Sequence, residues 1–436
     1  MSFNNSNALT LPPMLMIRQN FEVPPPLDID AAMDVEWDRL IPTLGISPAA
    51  RIALGVGSRG IDNLARVTRK VVDKLGQAGA KPFVTPAMGS HGGATAQGQI
   101  EVLAERGITE QSVGAPVEAG METVSLGTSE EGIPLFLDRL ACEADGIVLI
   151  NRVKPHTNFI GATESGVMKM LAIGLGNQKG AEHYHRLSLL RPQYEIISAA
   201  ARTLLERSNF LFGVVLLENQ HHRTCSLKMA DKAHIEQVEA ELLKQARVLM
   251  PGLPMEQVDL LIVDEMGKDI SGEGIDPNVV GRDCCSYGVG RDSPSVTRIL
   301  VRDLSEATRG SALGIGQADF TLKRLVDKID FEVTAINCLT ACCPEAGRVP
   351  LTYDNDRQAL AAALMTIRPL QPDEIGIVYI KNTQDLRRMM VSQAYGEQLA
   401  RDHGQVVEAV GQRLELVLEG LLTARMAAEA PGDSGV

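Results

Sequence analysis

Proton transfer, metal ligation and anion binding need imidazoles, amines, carboxylates and guanidinium groups held close together. One stretch of this 436-residue chain is loaded with such groups. An apolar run ending at Val153 leads into Lys154-Pro-His156-Thr-Asn-Phe-Ile-Gly161, then Glu164-Ser-Gly166-Val-Met-Lys169, then Glu182-His183-Tyr-His185. His156, Glu164, Lys169, His183 and His185 thus fall within thirty positions, in a glycine-rich setting. A purely structural loop gains nothing from that load, because every buried polar group must find a partner. The segment reads as catalytic or ligand-binding. His183 and His185, two apart, do not share a helix face, so this is not a paired-histidine zinc helix. One of the two is left to bind a metal whose remaining ligands come from something else.

Two glycine-rich turns add to it. Gly55-Val-Gly57-Ser58-Arg59-Gly60 satisfies the dinucleotide fingerprint GxGxxG, whose glycines let a pyrophosphate approach a helix N-terminus. The fingerprint also needs an acid at the end of the next strand, and Lys81-Pro-Phe-Val-Thr-Pro86 offers none. An NAD-dependent dehydrogenase is therefore a minor alternative. Arg59 is the better clue, since a guanidinium in a strand-to-helix turn can fork onto a carboxylate or phosphate. Gly89-Ser-His91-Gly-Gly exposes a second imidazole in a similar turn. Further on, Lys268 follows an apolar strand and is a candidate to contact a substrate carboxylate from across a cleft.

These residues need elements to hold them. Strand-like runs at Arg51–Val56, Lys81–Pro86, Asp145–Val153 and Phe210–Leu217 alternate with helical periods at Ile61–Ala78, Thr95–Arg106, Leu187–Ser208 and Ala230–Val248. A helix over Ile29–Leu40 would bury Trp37, after an extended opening segment. Pro251, Gly252 and Pro254 then mark a boundary, and the pattern restarts at Val258–Val263. Later pieces include Ile299–Asp303, a Phe320–Ile329 helix, Phe331–Cys338, an Arg357–Met365 helix, an Ile375–Ile380 strand, a Gly404–Ala428 helix and a disordered 431–436 tail. The expected architecture is α/β, with two α/β domains (1–252 and 253–436), mostly parallel sheets and an active-site cleft between them.

Composition narrows the functions. Hydrophobic residues at 44% and charged residues at 22% fit a folded globular protein, and 4% aromatics imply an aliphatic core. The net charge of −13, without a basic stripe, argues against nucleic acid as a partner. No apolar run approaches the ~20 residues of a membrane helix, and Met1–Thr10 lacks the features of a secretory signal. Seven cysteines, with pairs at Cys284–Cys285 and Cys342–Cys343 but no CxxC, fit reduced thiols of a cytoplasmic protein rather than disulfides or a zinc site.

Taken together, Arg59, the His91 loop, the Pro-His at 155–156, and Lys169 followed sixteen residues later by His185 resemble the nickel-dependent lactate racemase family. Those enzymes are 2-hydroxyacid racemases and epimerases that use a nickel-pincer nucleotide. The resemblance covers about residues 45–190 well and extends loosely over the whole chain. It implies that Lys169 carries the pyridinium mononucleotide covalently and that His185, or as second choice His183, binds the nickel. It implies also that His91 and His156 are the two acid/base groups and that Arg59, assisted by Lys268, holds the substrate carboxylate. Ser58, Gly89 and Gly166 would contact the cofactor, which dedicated maturation enzymes would supply.

The chemistry agrees with that set of roles. The C–H bond of a hydroxy acid is far from acidic, so removing hydride and returning it avoids a carbanion. Such a route needs two neutral imidazoles, an anion clamp and a fixed cofactor. A single protein ligand suits nickel when a pincer fills three positions. The chain also departs from the family pattern. Val56 stands where an acid is usual, the interval from His156 to Lys169 is longer, and the lysine loop reads Gly166-Val-Met-Lys169. These differences leave the substrate open between a lactate-like acid and a sugar acid. They also keep a non-catalytic nucleotide- or hydroxy-acid-binding relative as an alternative.

Overall fold

The computed structural model describes residues 11–21, 23–285, 289–291, 293–368 and 371–402. They form two compact units, one of Glu22–Met250 and the other of the residues up to Phe21 together with those from Pro251 onward.

In the Glu22–Met250 unit five strands make one sheet in the order Lys81–Pro86, Arg51–Val56, Gly146–Arg152, Phe210–Glu218, Thr224–Asp231. The first four run parallel and the last closes the sheet antiparallel. Their apolar runs are continuous because both faces are covered. Ile147 and Leu149 point into one core, while Val148 and Ile150 point into the other. Helices Gln193–Arg207 and Ile235–Leu249 cover the first face, and Ile29–Leu40 and Leu64–Gln77 cover the second. Trp37 sits in this second core, edge-on to Phe212 with ring centroids 6.1 Å apart.

The other unit has a seven-stranded sheet in the order Met14–Arg18, Arg388–Ser392, Ile377–Ile380, Gln257–Met266, Ser295–Leu304, Phe320–Leu322, Leu351–Tyr353. Its central strands are parallel, and Arg388–Ser392 runs antiparallel to both of its neighbours. The chain's opening segment therefore belongs to this sheet, where reading by chain order groups it with residues up to 252.

Three further expectations change. The stretch expected as a helix from Phe320 is a strand over Phe320–Leu322 followed by a short helix, Lys323–Val326. All three strand residues are buried and register with Ser295–Leu304 on one side, so sheet pairing overrides the helical period. Cys285 and Cys343, expected as thiols, form a disulfide. The fold brings together two cysteines 58 residues apart, which spacing alone does not reveal. The expected Leu187–Ser208 helix begins only at Gln193, after Pro192, and runs to Arg207, while Leu187 ends a preceding helix, Asn177–Leu187. The expected Gly404–Ala428 helix, the tail after it and Met1–Thr10 lie outside the described residues. No helix among the described residues is long and apolar enough to cross a membrane.

Candidate functional site

The sheet of the Glu22–Met250 unit changes direction beside Arg51–Val56. The chain moves from that strand to Lys81–Pro86 on one side, and Gly146–Arg152 lies on the other. Ligands bind at such a switch point, outside the carboxyl ends of the strands. A cavity of about 190 Å³ opens there. Ser58 and Arg59 reach it from the first strand end, His91 from the second, and Asn151, Arg152 and Lys154 from the third. Lys169 lines its wall, and none of its lining residues is acidic. On a chain of net charge −13 this is a local concentration of cations suited to an anion. Arg152 is paired with Glu218 at its back, whereas the family resemblance rests on Arg59 alone.

The loop after Gly146–Arg152 is closed by a backbone bridge between Lys154 and Ser165, 3.2 Å in each direction. Inside it the buried Glu164 carboxylate accepts the N–H of His156 at 2.5 Å and of Gly161 at 3.1 Å, and it pairs with Arg247 at 2.6 Å. Glu164 is thus spent on shaping the loop. The His156 ring stacks on Phe159 with centroids 4.2 Å apart. Its Nδ1 accepts the N–H of Asn158 at 3.0 Å, and its Nε2 lies 2.5 Å from Lys169 Nζ. Burial, followed by the charges of Lys169, Lys154 and Arg59, holds His156 well below the usual histidine range.

Lys169 ends a single helical turn, Val167–Lys169, continued by a π-helical turn over Met170–Gly174. Glu239, reaching in from helix Ile235–Leu249, accepts the N–H of Val167 and, at 3.2 Å, that of Met168. Burial pushes this carboxyl up to about 7, with the two N–H donors pulling the other way. Asn151 Nδ2 donates to Gly166 O at 2.9 Å. A Cβ on Gly166 would lie 2.1 Å from Glu239 Oε1, so packing against this carboxylate requires the glycine. Gly89 is likewise a turn residue, at φ +61° with its N–H bonded to Gly174 O at 3.0 Å. Neither glycine lines the cavity. Gly55 of the GxGxxG run is also filled by packing, since a Cβ there would meet Leu149 Cδ2 at 2.4 Å.

His91 is fixed by Ser58, whose Oγ lies 2.5 Å from Nδ1. His185 sits in the last turn of Asn177–Leu187, and its buried Nδ1 has no hydrogen-bond partner. Burial, then the charge of Lys169, lowers its pKa to about 4, so the ring is neutral. His183 turns instead toward Phe136, 5.7 Å between ring centroids. Lys268 belongs to the other unit, where its Nζ donates to Asn337 Oδ1 at 2.6 Å. The structure therefore places Ser58, Arg59, His91 and Lys169 on the wall of one cavity, with the buried His156 behind it in contact with Lys169 and His185 within electrostatic reach of both. Sequence reasoning missed Asn151, Arg152, Lys154 and Ser165 on the wall and Glu239 behind it. The position of 151–154 at a parallel strand's carboxyl end was the available signal.

A buried, unpartnered imidazole nitrogen suits a metal, and a lysine amine on the cavity wall suits covalent attachment. The cationic wall suits a phosphate. The residues present therefore fit a lysine-tethered, metal-bearing nucleotide.

Residues 58–196 match a family model described as the lactate racemase N-terminal domain. No curated protein matches the sequence. Among solved structures, the fold is similar to that of the lactate racemase apoprotein from Thermoanaerobacterium thermosaccharolyticum. The two share 12% sequence identity, with a TM-score of 0.50, over 84% of this chain and 95% of that one.

Proposed function

We propose that this chain, a lactate racemase-family member through its N-terminal domain at residues 58–196, inverts the carbinol carbon of a 2-hydroxy acid, lactate-like or a sugar acid. The observation that carries this reading is a cation-lined cavity whose wall holds Arg59, His91 and Lys169, with His156 Nε2 against Lys169 Nζ. When bound, a nickel-pincer nucleotide would supply a hydride acceptor that takes hydrogen from the carbinol carbon and returns it. Lys169 would carry the group, and His185 would be the protein's ligand to its nickel, with His183 directed elsewhere. Enzymes that make the cofactor are the implied partners.

The chain's own residues account for the rest. Arg59 holds the substrate carboxylate by charge-assisted hydrogen bonds. His156 and His91 exchange the hydroxyl proton, and burial keeps His156 neutral and able to accept it. Ser58 orients the His91 ring.

The test is chiral chromatography of single enantiomers of lactate and of sugar acids after incubation with chain co-produced with the cofactor-making enzymes. Inversion of at least one acid, abolished by Lys169→Ala, is expected. Binding of the acids without inversion would favour a non-catalytic relative.

A further inference from the structure

Away from the cavity, in the unit that starts at Pro251, lies a sulfur cluster that the function above does not use. Cys284, Cys285, Cys338 and Cys343 pack with Leu313 and Ala346 in one small apolar core. The sulfurs of Cys284, Cys285 and Cys343 lie within 4.8 Å of one another, the only such three-ligand group of His, Cys, Asp or Glu among the described residues. Zinc–thiolate bonds of about 2.3 Å in a tetrahedron place sulfurs roughly 3.8 Å apart, a spacing inside that 4.8 Å limit which the cluster can take once the bonded pair parts. Thiolates select soft ions such as zinc.

We propose that Cys284, Cys285 and Cys343 form a redox-convertible binding site for one zinc-class metal ion. In the oxidised chain Cys285 and Cys343 are joined, which withholds two ligands and leaves Cys284 beside them. A small dithiol opens the site. The S–S bond breaks, each sulfur gains an electron and a proton, and the reductant becomes a disulfide. One divalent ion then displaces three protons from three thiols, leaving a fourth position for water or for Cys338. Cys343 N–H bonds to Cys338 O at 2.9 Å, at the end of helix Phe331–Thr340, which carries the Asn337 partner of Lys268.

The experiment uses the full chain, reduced with dithiothreitol, desalted without oxygen, and titrated with zinc against a chromophoric chelator. The reduced chain should bind one more zinc than the oxidised chain. Cys343→Ser should weaken that extra equivalent about a hundredfold or more, which separates it from zinc held by histidines. In the unmutated reduced chain, zinc should shield Cys284, Cys285 and Cys343 from iodoacetamide while Cys142 and Cys225 still react. The proposal is overturned by equal zinc binding in the two redox states, by alkylation unaffected by zinc, or by a Cys285–Cys343 pair that resists the dithiol.

Discussion

Gly166→Ala tests how Lys169 is positioned, through a residue that carries no chemistry. The added methyl would stand 2.1 Å from Glu239 Oε1 and 2.6 Å from Cδ, and the backbone there is extended, so strain is purely steric. Glu239 must retreat and give up the N–H groups of Val167 and Met168. Hydrogen bonds to charged groups are worth about 1.5–3 kcal/mol each, so the loss of two costs about 3–6 kcal/mol. Glu239→Ala removes the same two bonds and should cost a similar amount. In the double variant the clash has no partner, so the total should stay near that of Glu239→Ala alone. The coupling would then match the Gly166→Ala cost, about 3–6 kcal/mol. Urea unfolding of the four proteins at pH 7.5 measures it. A Gly166→Ala cost under about 1 kcal/mol, or strictly additive single costs, would refute the packing argument.

Two more expectations concern the apo chain. Lys169 shares its cavity wall with Arg59, Arg152 and Lys154 and with no acid, a setting that favours the neutral amine, so it should be acetylated by dilute acetic anhydride at pH 7 about tenfold faster than the median lysine. Peptide mass spectrometry reads this, and the excess should shrink in Arg59→Gln; an ordinary rate in the unmutated chain would contradict a lysine crowded by cations. His185 has a folded pKa of about 4 against roughly 6.5 when unfolded, so the unfolded chain binds more protons between those values. Its contribution to stability is intact above pH ~6.5 and is lost as pH falls toward 4, by about 3 kcal/mol in all. Urea midpoints should therefore fall less from pH 7 to pH 5 in His185→Gln than in the unmutated chain, and parallel declines would count against a buried neutral His185.

Much of the first unit was legible because its strands are buried on both faces and its helices are amphipathic. Arg51–Val56 and Lys81–Pro86 stand where the apolar runs put them. The opening strand Met14–Arg18 was not legible, since its partner Arg388–Ser392 lies some 370 positions away and pairing at that range leaves no local trace. At the site, the clustering of His156, Lys169 and His185 pointed to a segment that the fold sets beside the cavity. What that clustering hid was division of labour. Glu164 looked like a proton carrier yet binds backbone N–H groups, and Gly166 looked like a cofactor contact yet makes room for Glu239. Glu239 itself sits in a helix whose charges read as solvated, and only the tertiary fold turns it inward.

Peptide mass analysis of Lys169, in chain co-produced with the cofactor-making enzymes and compared with chain produced alone, bears on the central claim most directly. A covalent nucleotide-sized increase confined to Lys169 and accompanied by one bound nickel per chain is the expected result. Unmodified Lys169 in a folded chain, under conditions that load an authentic lactate racemase, would contradict it.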